Sequence, residues 1–116
     1  MEGLSLTIVL LSIDDGLRGE LARSCAARSH VVVELLRLRE LRRVAAPDVL
    51  VLDVPDAVAV AHAVRAVQPH TAVVLVGEGR SVDGFRVIDR WRAGNRLCDE
   101  LELAYLGIPA GVELEA

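Results

Sequence analysis

The sequence predicts an α/β fold, a parallel sheet buried on both faces and wrapped by helices. Three observations carry this. Short runs of Val, Leu and Ile recur along the chain and end in Asp, Gly or Pro. Between them lie segments whose apolar residues follow helical spacing. Finally, 53% of the residues are hydrophobic but only 3% are aromatic, so many medium-sized side chains must build the core. That composition suits parallel strands under helices rich in Ala and Leu.

Taken in order, Leu6 to Ile13 (LTIVLLSI) is an apolar, partly β-branched run that stops at Asp14-Asp15-Gly16, a buried strand and a turn. Leu17, Leu21, Cys25 and Ala26 then mark one face of a helix over about Leu17 to Arg28. Val31-Val32-Val33 is a second strand. Leu35, Leu38, Leu41 and Val44 suggest a short helix with Arg37, Arg39, Arg42 and Arg43 on its wet face, ended by Pro47. Asp48 to Asp53 (DVLVLD) is the third strand, and Pro55-Asp56 a turn with Asp56 placed to cap the next helix. Ala57, Val60, Ala61, Val64 and Val67 form that helix, which Pro69 closes. Thr71 to Val76 (TAVVLV) is the fourth strand, opening into Gly77 and Gly79.

The last third admits two readings. Phe85 to Ile88 makes a short fifth strand, or Phe85, Ile88 and Trp91 join one long helix from Val82 to Leu106; Gly94-Asn95 argues for a break. Leu97, Leu101, Ala104 and Tyr105 form a final amphipathic helix closed by Gly107 and Pro109. Strands alternate with helices, so parallel strands with helical crossovers follow. The 116 residues suit one domain, residues 1–107, with a short tail at 108–116.

Charge and composition exclude several function classes. A net charge of −4 argues against binding nucleic acid or anionic membrane across the whole surface. All 13 basic residues are Arg, so no lysine Schiff base and no phosphate-binding lysine exists. Arg37, Arg39, Arg42 and Arg43 read as a solvated face, without the aromatics of a nucleic-acid patch. Cys25 and Cys98 have no metal-ligand spacing and are expected as buried, reduced thiols. Acidic Glu2 and Asp14 flank the first apolar run, no basic segment precedes it, and no run is long enough to span a bilayer, so a cytoplasmic location is expected. His30, His62 and His70 are scattered, and neither a dinucleotide fingerprint nor a nucleophile elbow is present.

In an open parallel sheet, ligands bind at the carboxyl ends of the strands. The first strand ends in Asp14-Asp15 and the third in Asp53. In the common five-stranded order 2-1-3-4-5 these strands are neighbours. Three carboxylates on one rim repel, by about 4 kcal/mol per pair at ~4 Å and an effective dielectric near 20. Either one of them is protonated with a raised pKa, or a cation sits among them, and magnesium with its water-rich octahedral shell suits such oxygens. The same residues also have plainer uses: Asp14-Asp15-Gly16 as a turn and helix cap, Asp53 as a strand-end turn residue.

On VLLSIDD, GLRGELARSC, PDVLVLD, TAVVLV and VIDRW, the chain resembles the receiver domain of bacterial response regulators over most of residues 6–106. The resemblance implies a doubly wound, flavodoxin-like sheet of five strands. It also implies that Asp14, Asp15 and Asp53 form a magnesium site with Asp53 as phosphoacceptor, and that Arg90 stands where the family has lysine. The departures are specific. Gly77 falls where the family carries a hydroxyl, Val87 where it carries a switch aromatic, and the fourth helix is short or missing.

These departures favour a divergent pseudo-receiver, a two-component-type signalling domain acting through a protein partner or as a homodimer. The final helix (Leu97, Leu101, Tyr105) and the Ala/Val-rich helix from Ala57 to Val67 are the expected contact surfaces. The alternatives are a working receiver phosphorylated by a histidine kinase, and an unrelated doubly wound domain of an enzyme. Both receiver readings make the chain a phosphoacceptor at most, with no membrane and no direct nucleic-acid partner.

Overall fold

The computed structural model describes residues 5–89 and 97–108. Its elements run β1 (Thr7–Ser12), α1 (Asp15–Ala26), β2 (Val31–Leu35), a 3-10 segment (Leu38–Arg43) and β3 (Val49–Asp53). They continue with α2 (Ala57–Val67), β4 (Ala72–Val76), β5 (Ser81–Val82), β6 (Phe85–Ile88) and α3 (Leu97–Tyr105). One sheet forms in the order β2-β1-β3-β4-β6-β5. All its pairings are parallel except the last, β5 against β6. The expected order 2-1-3-4-5 is therefore present, with β6 as its fifth strand and β5 added at the edge.

Strand alternation explains why the strands read as continuous apolar runs. Ile8, Leu10, Val49, Val51, Val74 and Ile88 face one side, where Leu17, Leu21, Leu97 and Leu101 of α1 and α3 cover them. Val9, Leu11, Leu50, Leu52, Leu75 and Phe85 face the other, under α2 and the 3-10 segment. Side chains alternate between faces along a strand, so a sheet covered twice needs apolar residues at every position.

The structure corrects several sequence expectations. In the last third the expected strand is the reading that holds: Phe85–Ile88 is a strand with all four residues buried, so no single helix runs from Val82 to Leu106. The unexpected element is β5, and its signal is Asp83-Gly84. Both have positive φ, 51° and 82°, the two-residue turn that joins β5 to β6 and matches strand twist. This hairpin stands where a fourth helix was expected to be short or missing. The expected helix after the second strand is a 3-10 segment with no fully buried residue, and Leu35 belongs to β2 instead. Asp56 does not cap α2 with its side chain, because it takes the turn's left-handed conformation at φ 56°. Leu97 and Leu101 are fully buried in the core, so the exposed apolar residues at this end are Tyr105 and Leu106. Gly107, at φ 77°, ends α3 as expected. No helix among the described residues is long and apolar enough to cross a membrane.

Candidate functional site

The carboxyl edge of the sheet gathers β1 and β3, as the sequence implied, but not with the expected residue beside Asp53. In the β1–β3 register, the partner of Asp53 is Ser12. Both continue the rows Ile8-Leu10 and Val49-Val51 onto the α1 side of the sheet. Ser12 is buried, and its hydroxyl donates to Asp53 Oδ2 at 2.6 Å. Its oxygen also accepts the Asp14 backbone N–H at 3.0 Å. A hydroxyl is both donor and acceptor, so one serine bridges the end of β3 and the start of α1.

Asp14 and Asp15 have local roles. Asp14 is the N-cap of α1, and its Oδ1 accepts the Leu17 N–H at 3.1 Å. Asp15 lies in the first helical turn, its side chain 90% exposed and ion-paired with Arg18. Arg18 also donates to the Ser12 carbonyl at 2.8 Å and lies 3.4 Å from Glu34. Asp53 is half-buried. Magnesium takes one or two carboxylates and completes its octahedral shell with waters. One oxygen of Asp53 and one of Asp14 already accept hydrogen bonds, and Asp15 is held outward.

Gly77 follows β4, as placed, and a Cβ there would meet only Val87 Cγ1, at 3.8 Å. Val87 is buried on β6. Small side chains at both positions leave an open groove lined by Val58, Leu75, Val76, Gly77, Val82 and Val87. Arg90 lies outside the described residues.

A second cluster sits at the opposite pole, at the start of β2. His30 Nε2, Cys98 and Glu102 place ligand-type atoms within 4.8 Å of one another. Sequence reading missed it because His30, just before β2, and the Cys98–Glu102 pair on α3 lie far apart in the chain. The hydrogen bonds show what it is. His30 Nδ1 accepts the Leu6 N–H at 3.0 Å, so the neutral ring carries its proton on Nε2 and donates to Glu102 Oε2 at 2.7 Å. Arg28 lies 3.3 Å from the same carboxylate, and Cys98 donates to it at 3.5 Å. Burial alone would raise the Glu102 carboxyl, but these three donors outweigh it and lower its pKa. Burial pushes both the Cys25 and the Cys98 thiol up, which keeps them protonated. Together the His30 ring, the Cys98 thiol and the Arg28 guanidinium close a hydrogen-bonded network on the Glu102 carboxylate.

No family model matches the chain, and no curated protein sequence does. Solved structures do. NtrX from Brucella abortus, in complex with ADP, superposes with a TM-score of 0.64 at 16% identity, over 90% of this chain and 28% of that one. The same protein in complex with ATP gives 0.63 at 15% identity over the same shares. This chain thus corresponds to 28% of NtrX's length, and the likeness is one of fold. The sheet order and these neighbours establish a parallel-dominated α/β fold, consistent with a flavodoxin-like sheet.

Proposed function

We propose that the chain is a receiver-like signalling module of the two-component type that acts through protein contacts rather than a phosphoryl switch. One observation carries this reading: the residue paired with Asp53 across β1 and β3 is a serine, and its hydroxyl already occupies Asp53 Oδ2. An anionic acceptor that gains a phosphoryl group needs a cation to offset the charge. Here Asp14 caps α1 and Asp15 lies in its first turn, ion-paired with Arg18. Gly77 and Val87 supply neither a hydroxyl nor an aromatic ring to respond to a modified Asp53. The contacts would be made with a protein partner or a second copy, and α3 would contribute Tyr105 and Leu106 to them.

The second reading is a working receiver, supported by the half-buried Asp53 at the carboxyl end of β3. It needs magnesium, a phosphoryl donor such as a histidine kinase, and Arg90 in place of lysine. Incubation with acetyl phosphate and magnesium, read by intact mass, separates the two. The module reading expects no phosphoryl adduct and the same mass for wild type and Asp53→Asn. An adduct that Asp53→Asn abolishes establishes the working receiver instead.

A further inference from the structure

Residues 36–43, LRLRELRR, form a surface unlike the rest of the molecule. Four arginines against one glutamate give it a local charge of +3 in a chain of net −4. Elsewhere, most described arginines are engaged within the fold. Arg18, Arg23, Arg28 and Arg86 pair with carboxylates, and Arg65 lies over the Phe85 ring at 3.9 Å. Arg37, Arg39, Arg42 and Arg43 are all exposed, and no ion pair among the described residues includes them. The local glutamate does not neutralise them. Glu40 Oε1 accepts the backbone N–H groups of Leu36 and Arg37, at 3.0 and 2.8 Å, and so holds the start of the segment.

Apolar exposure coincides with this charge. Leu36 is 55% exposed and Leu38 48%. Ile13, 80% exposed, stands on the same rim, because β1 and β2 pair through Leu11 and Leu35 and both chains continue past them. Three exposed aliphatic residues and four exposed arginines thus follow the same end of the β1–β2 pair. Scattered single apolar residues need no explanation, but a group of them rimmed by charge marks an interaction site.

We propose that residues 36–43, with Ile13, dock an acidic, leucine-containing segment of a partner protein. Guanidinium groups bind carboxylates through paired N–H donors, while the exposed leucines and Ile13 take the partner's apolar side chains. Exposed aliphatic side chains add little against a phosphate backbone, and no aromatic residue is present to stack on bases. Acidic protein is therefore the occupant whose chemistry matches both halves of the patch. The proposal deepens the module reading and rests on it only in taking the chain to act by contact.

The test is fluorescence anisotropy with a labelled amphipathic peptide of alternating Glu and Leu turns, using the full chain at low salt. Saturable binding is expected, weakened about tenfold or more by Arg39→Glu/Arg42→Glu, and separately by Leu36→Ser/Leu38→Ser. Far-UV circular dichroism and thermal unfolding confirm that both variants fold; the substituted side chains are exposed. Equal binding by wild type and both variants overturns the proposal. So does equal affinity for a Glu-Ser peptide, which would make the contact charge alone, or tighter binding to single-stranded RNA or anionic vesicles. Repeating the titration after the acetyl phosphate treatment keeps the two readings apart. A phosphorylation-dependent affinity defeats the switchless reading and leaves the surface standing.

Discussion

Single side chains decide most of what this molecule does at its two poles. At the sheet's carboxyl edge, the residue types were legible in the sequence but their placement was not. Asp14 and Asp15 follow the first apolar run and so resemble strand-end acids, yet β1 stops at Ser12 and α1 begins at Asp15. A shift of two residues moves an acid from the strand end to the helix cap, and hydrophobic pattern alone does not fix a boundary that finely. At the other pole, Glu102 carries a testable pH dependence. Its folded pKa lies below its ordinary value of 4.5, so its stabilising contribution is present above that value and is lost as pH falls through the lower, folded value. Urea unfolding from neutral pH into the acid range should show wild type losing stability below about pH 4.5. Glu102→Gln, which cannot ionise, should lose less over the same interval. Parallel curves for the two would mean that other carboxylates carry the acid sensitivity.

At the scale of elements, the five parallel strands were read correctly because each is a short apolar run. The 3-10 segment and the β5–β6 hairpin were not. A periodic pattern of leucines predicts a helix whether or not the chain has room for a full turn against the sheet. The hairpin was hidden because one residue pair, Asp83-Gly84, holds its whole signal, while Phe85 and Ile88 fit helical spacing equally well. α2 fixes the hairpin in place: the His62 and Phe85 rings meet edge to face at 5.0 Å, and His62 Nε2 lies 3.1 Å from Asp83 Oδ2. Because Gly84 has φ 82°, Gly84→Val should destabilise the fold by roughly 1–2 kcal/mol, the cost of a left-handed L-residue. Asp83→Asn should be nearly neutral, since Asn-Gly suits the same turn. Thermal unfolding of the two variants measures both, and equal melting temperatures would mean that the turn conformation is not what holds β5 to β6.

The two faces of the whole molecule are closed unequally. On one, α1 and α3 insert Leu17, Leu21, Cys25, Leu97, Cys98 and Leu101, all buried, against the sheet. On the other, α2 contributes only Ala61 as a fully buried residue, and the 3-10 segment contributes none. Its Val58, Val60 and Val64 are half-buried, so removing atoms there exposes little that was dry. The cost of a deletion depends on the burial lost and the cavity left. Leu101→Ala should therefore cost about 2–5 kcal/mol, as deletions in a sealed core do. Val64→Ala should cost about 1 kcal/mol, since only part of two methyl groups leaves the core. Urea midpoints at fixed m-value would give both numbers. Native-state hydrogen exchange extends the comparison. Amides of β1 and β3 should exchange only on global unfolding, whereas those of the 3-10 segment should open locally at much lower free energy. That difference bears on function, because the segment carrying the four exposed arginines contributes no fully buried residue to the core. A partner that docks there can order it without disturbing the sheet. If the segment's amides were instead protected as strongly as those of β1, the docking surface would be a rigid platform, and binding would leave exchange across the molecule unchanged.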